Sequence, residues 1–204
     1  MRYPGFPARP LILAAILAFP MLAGCGRSGA THFYSLSAQE GAPSSRPPCL
    51  SLGVGPVEAP AYLDRRSVMV RESENRLSLA EFEEWAEPVR DGLSRVLAQN
   101  LGVLVCAKPI AVHPWPAGVN PHYQVTVQVQ RFDGAPGKEV ALEATWSILD
   151  KDGNLLAWNR FSDRMPCGQG YAAMAAAMSG LVSGMSGDIA RSLQAMKTPA
   201  GGGN

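Results

Sequence analysis

Hydrophobic and polar residues alternate along three stretches in the second half of the chain, and that pattern sets the first structural expectations. Tyr123, Val125, Val127 and Val129 alternate with Gln124, Thr126, Gln128 and Gln130, which predicts a strand with one face in a core and one in water. Val140, Leu142, Ala144, Trp146 and Ile148 repeat the pattern after a turn at residues 134–138, and a second turn at 150–154 leads into residues 155–161. Together they predict a three-stranded antiparallel meander.

The spacing changes elsewhere. Val89, Leu93, Val96, Leu97 and Leu101 recur at helical steps, with Pro88 in the first-turn position, Gly102 as a stop, and Arg90, Asp91, Arg95 and Gln99 on the outer side. Met174, Met178, Leu181, Met185, Ile189, Leu193 and Met196 predict a second long helix. Gly180, Gly184 and Gly187 weaken it by about 1 kcal/mol each relative to Ala, yet permit close approach to strands. Shorter β-rich runs at 32–36, 50–54, 67–71 and 76–79, and a buried run at 103–106, supply further strands. The expected fold is α+β: a single mixed, largely antiparallel sheet with two long helices packed on one face.

Composition narrows the class. The chain has 204 residues, 47% hydrophobic and 17% charged, with a net charge of +1. This suits one globular domain and offers no basic stripe for nucleic acid. The first residues read as an export leader: Arg2 and Arg9 carry the positive charge, and the apolar run at 11–22 is too short to span a bilayer and contains Pro20. Without those two arginines the net charge becomes −1.

Leu22-Ala23-Gly24-Cys25 resembles the lipobox of bacterial lipoproteins, in which the cysteine thiol receives a diacylglyceryl group before cleavage. The alternative is an ordinary leader with a chance cysteine. The resemblance implies acyl chains on Cys25, each buried methylene adding about 0.8 kcal/mol of membrane affinity. Gly26 after the anchor, where an Asp resembles an inner-membrane retention signal, implies the periplasmic face of the outer membrane. The resulting division is a signal peptide at 1–24, a lipidated tether at 25–31, a domain at 32–197 with a Pro/Ser-rich linker at 37–48, and a disordered tail at 198–204.

Cys49, Cys106 and Cys167 remain in an oxidising compartment that permits one disulfide. Cys49 with Cys106 is the pair favoured by their places on predicted strands, and three reduced thiols is the alternative. Their spacing lacks a CxxC pair and gives no zinc motif.

Several motif-like runs fail on context. Residues 168–173 fit G-x-G-x-x-A, but no later strand follows with an acidic residue for a ribose. Asp150, Asp152 and Asn154 suggest a calcium loop, yet Gly153 is misplaced and Phe161 stands where Glu belongs. Residues 134–138 are too short for a P-loop. The sequence has no G-x-S-x-G, and His32, His113 and His122 fall in a linker, a loop and a strand edge, so the chain is expected not to be an enzyme, nor to hold a metal or a cofactor beyond the lipid on Cys25.

Residues 54–101 concentrate prolines, aromatics and charges. Phe82 and Trp85 can serve as core anchors and Asp64 with Arg65 as a turn pair, or the group can form an exposed docking surface. Gly55-Pro56-Val57, Pro60, Tyr62-Leu63-Asp64-Arg65, Trp85-Ala86-Glu87-Pro88 and Val96-Leu97-Ala98-Gln99-Asn100-Leu101 resemble the ABC-type transport auxiliary lipoprotein family. The pattern G-P-V-x-x-P-x-Y-L-D-R-P is matched except at Arg66, which replaces proline. Glu84 and Val89 are further mild departures, and residues 130–134 and 142–146 extend the likeness over nearly the whole mature chain. The resemblance implies a periplasmic auxiliary of an MCE-type lipid transporter, partnered with an MCE-domain protein and a membrane, with phospholipid as the handled molecule. Pro56, Pro60, Tyr62, Leu63, Asp64, Arg65, Trp85 and Pro88 are then the partner-docking or motif residues. A structural envelope-assembly lipoprotein and a lipid hydrolase are the rival readings.

Overall fold

The structure, a computed structural model, describes residues 29–41, 50–105 and 107–197. The leader, Cys25, the proposed Cys49 to Cys106 pair, residues 42–48 of the linker and the 198–204 tail lie outside the described residues.

Among the described residues eight strands join in one mixed sheet. They are β1 (His32–Tyr34), β2 (Leu50–Glu58), β3 (Ser67–Ser73), β4 (Arg76–Trp85), β5 (Ala107–Val112), β6 (Tyr123–Gly134), β7 (Glu139–Asp150) and β8 (Leu155–Pro166). The helices are α1 (Val89–Leu104) and α2 (Tyr171–Lys197). The expected meander is present as β6, β7 and β8, paired antiparallel. The other side of β6 carries β2, parallel and flanked by β5, and at Gly134 it meets β3, from which β4 and β1 continue.

The alternation of β6 and β7 places Val125, Val127, Val129, Val140, Leu142, Ala144, Trp146 and Ile148 in the core. Helix α1 lies over β2 and β5, α2 over β7 and β8, and the two helices touch each other, so both cover one face. The glycines of α2 act differently from one another. A Cβ on Gly180 would lie 3.0 Å from Met165 Sδ and one on Gly184 3.3 Å from Phe161, whereas one on Gly187 would meet only Arg191 at 3.6 Å.

Three local expectations change. Gly102 does not stop α1, which runs on to Leu104, so residues 103–104 are helical and no strand occupies 103–106. The strand is β5 instead, and Ile110 from it packs against Gly102, where a Cβ would lie 3.3 Å away. Secondly, β4 runs on to Trp85, so Phe82 and Trp85 stand on a strand. Thirdly, the start of the linker is pinned: Leu36 is buried, and Gln39 N–H donates to Asn100 Oδ1 at 2.8 Å. Asn100 itself is buried and donates to Ser186 Oγ of α2 at 3.1 Å, clipping the two helices and this segment together. Among the described residues no helix is long and apolar enough to cross a membrane.

Candidate functional site

The two motif stretches meet beyond the end of β2, and each divides into buried residues that hold the chain and exposed residues that are displayed. Gly55 has φ +116°, and a Cβ there would lie 2.7 Å from His113 Cβ, so this bend needs glycine. Pro56 follows on the surface. Pro60 then opens a single 3-10 turn, Ala61–Leu63, in which Leu63 N–H donates to Pro60 O at 2.9 Å. Leu63 is buried, while Tyr62 turns its hydroxyl inward to donate to Asp133 Oδ2 at 3.0 Å.

Asp133 is the centre of the arrangement. A register shift after Val129 breaks the alternation of β6: Phe132 joins the core opposite Leu142, and Asp133 faces the side away from the helices. Arg71 of β3 donates through Nε and Nη2 to both carboxylate oxygens, each at 2.6 Å, and Arg131 Nε donates to Oδ1 at 2.9 Å. Arg71 Nη1 also donates to Glu74 O at 2.7 Å. The Asp133 side chain is fully buried. Burial alone pushes its pKa up, but the hydrogen bonds from Arg71, Arg131 and Tyr62 outweigh it and hold the carboxyl below its ordinary value. Burial, with the Asp133 charge beside it, pushes the Tyr62 hydroxyl up to about 12. A bidentate guanidinium on a desolvated carboxylate is the strong form of this interaction; it ties β3 to β6, and the Tyr62 hydroxyl attaches the motif turn to that pair.

The second stretch is held by the core and by ion pairs. Trp85 is 6% exposed, its backbone N–H donates to Arg66 O at 2.7 Å, and the Ala86 backbone N–H donates to Tyr34 O at 2.8 Å. The Glu87 carboxylate accepts from Arg95 Nε at 3.1 Å, and Arg95 Nη2 donates to Leu36 O at 2.9 Å. Pro88 occupies the N-cap of α1, one position before the expected first turn.

Several motif residues remain outside. Pro56, Asp64, Arg65 and Pro88 are exposed, and Asp64 Oδ1 lies 3.7 Å from Arg90 Nη2. Between Pro56, Val57 and Glu58 on one side and Arg90, Asp91 and Ser94 on the other runs a groove of about 330 Å³, with His113 at its rim. Charges of both signs beside rigid proline backbone suit recognition of another protein surface by hydrogen bonds and ion pairs.

The other polar cluster worth testing for chemistry is Ser51 with His122, whose Oγ and Nδ1 are 2.8 Å apart. The same Ser51 Oγ accepts the His122 N–H at 3.0 Å, so the pair pins the start of β2 to the approach of β6. At the second hairpin Asp150 Oδ1 accepts from Asp152 N–H and Asn154 N–H, which is turn chemistry. No group of His, Cys, Asp and Glu suited to a metal ion occurs among the described residues.

Of the residues singled out in the sequence, Pro60, Tyr62, Leu63, Asp64 and Arg65 lie at or beside one turn, Pro56 lies earlier on β2, Trp85 is tied to Arg66 just after the turn, and Pro88 opens α1, whose Arg90 reaches Asp64. Sequence reading missed Arg71, Arg131 and Asp133. The break of alternation at Arg131-Phe132-Asp133 was the available signal, since an acid between a core phenylalanine and a glycine needs a buried partner. Gly134 next to it is required by packing, because a Cβ there would lie 2.3 Å from Glu139 O.

Solved structures share this fold. One described as an uncharacterized protein is 22% identical, with a TM-score of 0.66 over 81% of this chain and 99% of its own. A protein from Xanthomonas campestris is 18% identical, with a TM-score of 0.67 over 82% of this chain and 100% of its own. A search of curated protein sequences finds no match. The profile of one family, described as the ABC-type transport auxiliary lipoprotein component, matches residues 34–190, which take in every motif residue placed above. The chain is a member of the ABC-type transport auxiliary lipoprotein component family.

Proposed function

We propose that this lipoprotein docks an MCE-domain protein of a lipid transporter through the face formed by Pro56, Asp64, Arg65 and Pro88. It stands on the periplasmic side of the outer membrane, tethered by lipid on Cys25, and secures the outer end of the transport tube. The role is docking, without chemistry on the transported lipid. One observation carries the reading: the Tyr62 hydroxyl on Asp133 and the buried Leu63 and Trp85 fix the backbone whose neighbours Asp64, Arg65 and Pro88 are exposed. Family membership supports the transport association, and Gly26 after Cys25 supports the choice of membrane.

Crosslinked pull-down of the full anchored chain from intact envelopes, combined with density separation of the two membranes, tests this. Recovery of an MCE-domain protein from the outer-membrane fraction is the expected result. Absence of any MCE-domain protein under conditions that preserve the transporter would leave the structural envelope-assembly role instead.

A further inference from the structure

Ala86 and Glu87 carry the chain from the end of β4 toward α1, and the exposed Pro88 and Arg90 follow them. Neither belongs to a strand or a helix, so other parts of the chain must hold them. Among the described residues the Ala86 backbone N–H donates to Tyr34 O at 2.8 Å, and the Glu87 carboxylate accepts from Arg95 through Nε at 3.1 Å and through Nη2. The Arg95 guanidinium does not end there. Its Nη2 also donates to Leu36 O at 2.9 Å, and Nη1 to Gln99 Oε1 at 3.3 Å. Both ties on the connection therefore lead to the same short stretch, Tyr34 to Leu36. Gly92 leaves room for this reach, because a Cβ there would lie 3.3 Å from Glu87 Oε1.

That stretch begins a strap laid across the two helices. Tyr34 closes β1, donates its hydroxyl to Glu83 of β4, and has its ring centre 6.3 Å from that of Tyr171 on α2. Leu36 is buried, Ser37 N–H donates to Ser179 Oγ at 3.0 Å, and Gln39 N–H donates to Asn100 Oδ1 at 2.8 Å. Ser179 and Asn100 are themselves buried, so lifting the strap would strip buried acceptors of their donors. The strap is thus a fixed support, and Arg95 joins the connection to it. What the connection decides is where α1 starts. Arg90 Nη2 lies 3.7 Å from Asp64 Oδ1, a contact that depends on how the chain leaves Pro88. The side chains of Arg95 and Glu87 are 38% and 32% exposed, and a half-exposed pair contributes little to global stability. Its geometric effect can therefore be separated from a general effect on folding.

We infer that Arg95 is a positioning residue for docking: by joining Glu87 to Leu36 O it sets residues 86–90 on the strap, and so fixes Pro88 and Arg90 beside Asp64. The strap follows the membrane tether in sequence, so the same contact links the anchored end of the chain to the exposed motif residues. The inference rests on the docking reading above.

The test compares wild type, Arg95→Met and Arg95→Lys in the full lipidated chain, with Arg191→Ala as a control on a surface ion pair of α2. Methionine keeps an unbranched stem and good helix propensity but donates nothing; lysine keeps the charge and donors. In the free chain, hydrogen exchange at the Ala86 amide should quicken about fivefold in Arg95→Met while residues 125–148 of the sheet are unchanged. Crosslinked pull-down from intact envelopes should recover about fivefold less MCE-domain protein with Arg95→Met, and Arg95→Lys should restore most of both readouts. Unchanged exchange at Ala86 overturns the inference, because a loss of recovery would then mean that Arg95 touches the partner directly. Exchange that quickens equally throughout the sheet also overturns it, by showing a general stability effect. So does unchanged recovery with Arg95→Met, or an equal loss with Arg191→Ala. If Asp64→Ala/Arg65→Ala lowers recovery and Arg95→Met does not, the docking reading stands without this residue; recovery of no MCE-domain protein by wild type removes both.

Discussion

Replacing Asp133 by Asn leaves two guanidinium groups facing a neutral amide, and Asp133→Asn should cost about 3 to 5 kcal/mol near neutral pH, read from urea unfolding. The pH dependence separates this from a simple packing loss. The carboxyl of Asp133 is held below its ordinary value of 3.8, so the native state keeps the anion more tightly than the unfolded chain does. That contribution is fully present above the ordinary value and is lost as pH falls through it toward the lowered one. Wild type should therefore lose stability below about pH 4 faster than the Asn variant. Tyr62 works in the opposite direction. Its pKa is raised from 10.0 to about 12, so its share is complete below pH 10 and disappears between 10 and 12. Tyr62→Phe should cost about 2 kcal/mol at neutral pH and show a smaller decline across that alkaline window. If it declined as steeply as wild type there, the Tyr62 to Asp133 bond would not be the link between motif turn and sheet.

At the scale of elements, α2 offers an internal comparison. Gly187 faces no strand, so Gly187→Ala should stabilise the chain by about 0.5 to 1 kcal/mol through helix propensity alone. Gly180→Ala would gain the same propensity but force a methyl against Met165, and thermal unfolding should show it neutral or destabilised. The long amphipathic helices and the β6 to β8 meander were legible in the sequence because each buries one clean face, and period alone reveals that. Helix α1 and β5 were misjudged for a physical reason. Gly102 reads as a stop, but Ile110 packs against it, and residues 103–104 continue as helix, half-buried, with Leu104 packed against the core. Strand β5 itself, Ala-Lys-Pro-Ile-Ala-Val, has no alternation, since parallel pairing to β2 rather than its own pattern holds it in place. In β4 the acids Glu81, Glu83 and Glu84 disguised a strand whose Glu83 accepts from the Tyr34 hydroxyl of β1.

For the whole molecule, the candidate site was half legible. The motif stretches come together in the structure, but their composition did not say which of their residues are buried. That division depends on Asp133, 71 positions from Tyr62 and 62 from Arg71, and such contacts leave no local trace. The fold turns this long-range cluster into a scaffold with an exposed face beside α1. The central claim is that the exposed face binds and the buried residues only position it. It is tested most directly by measuring how much MCE-domain protein the full anchored chain recovers from intact envelopes after Asp64→Ala and Arg65→Ala together. The account predicts a loss of about tenfold or more with an unchanged melting temperature. Equal recovery by wild type and the double variant, with both folded, would contradict it.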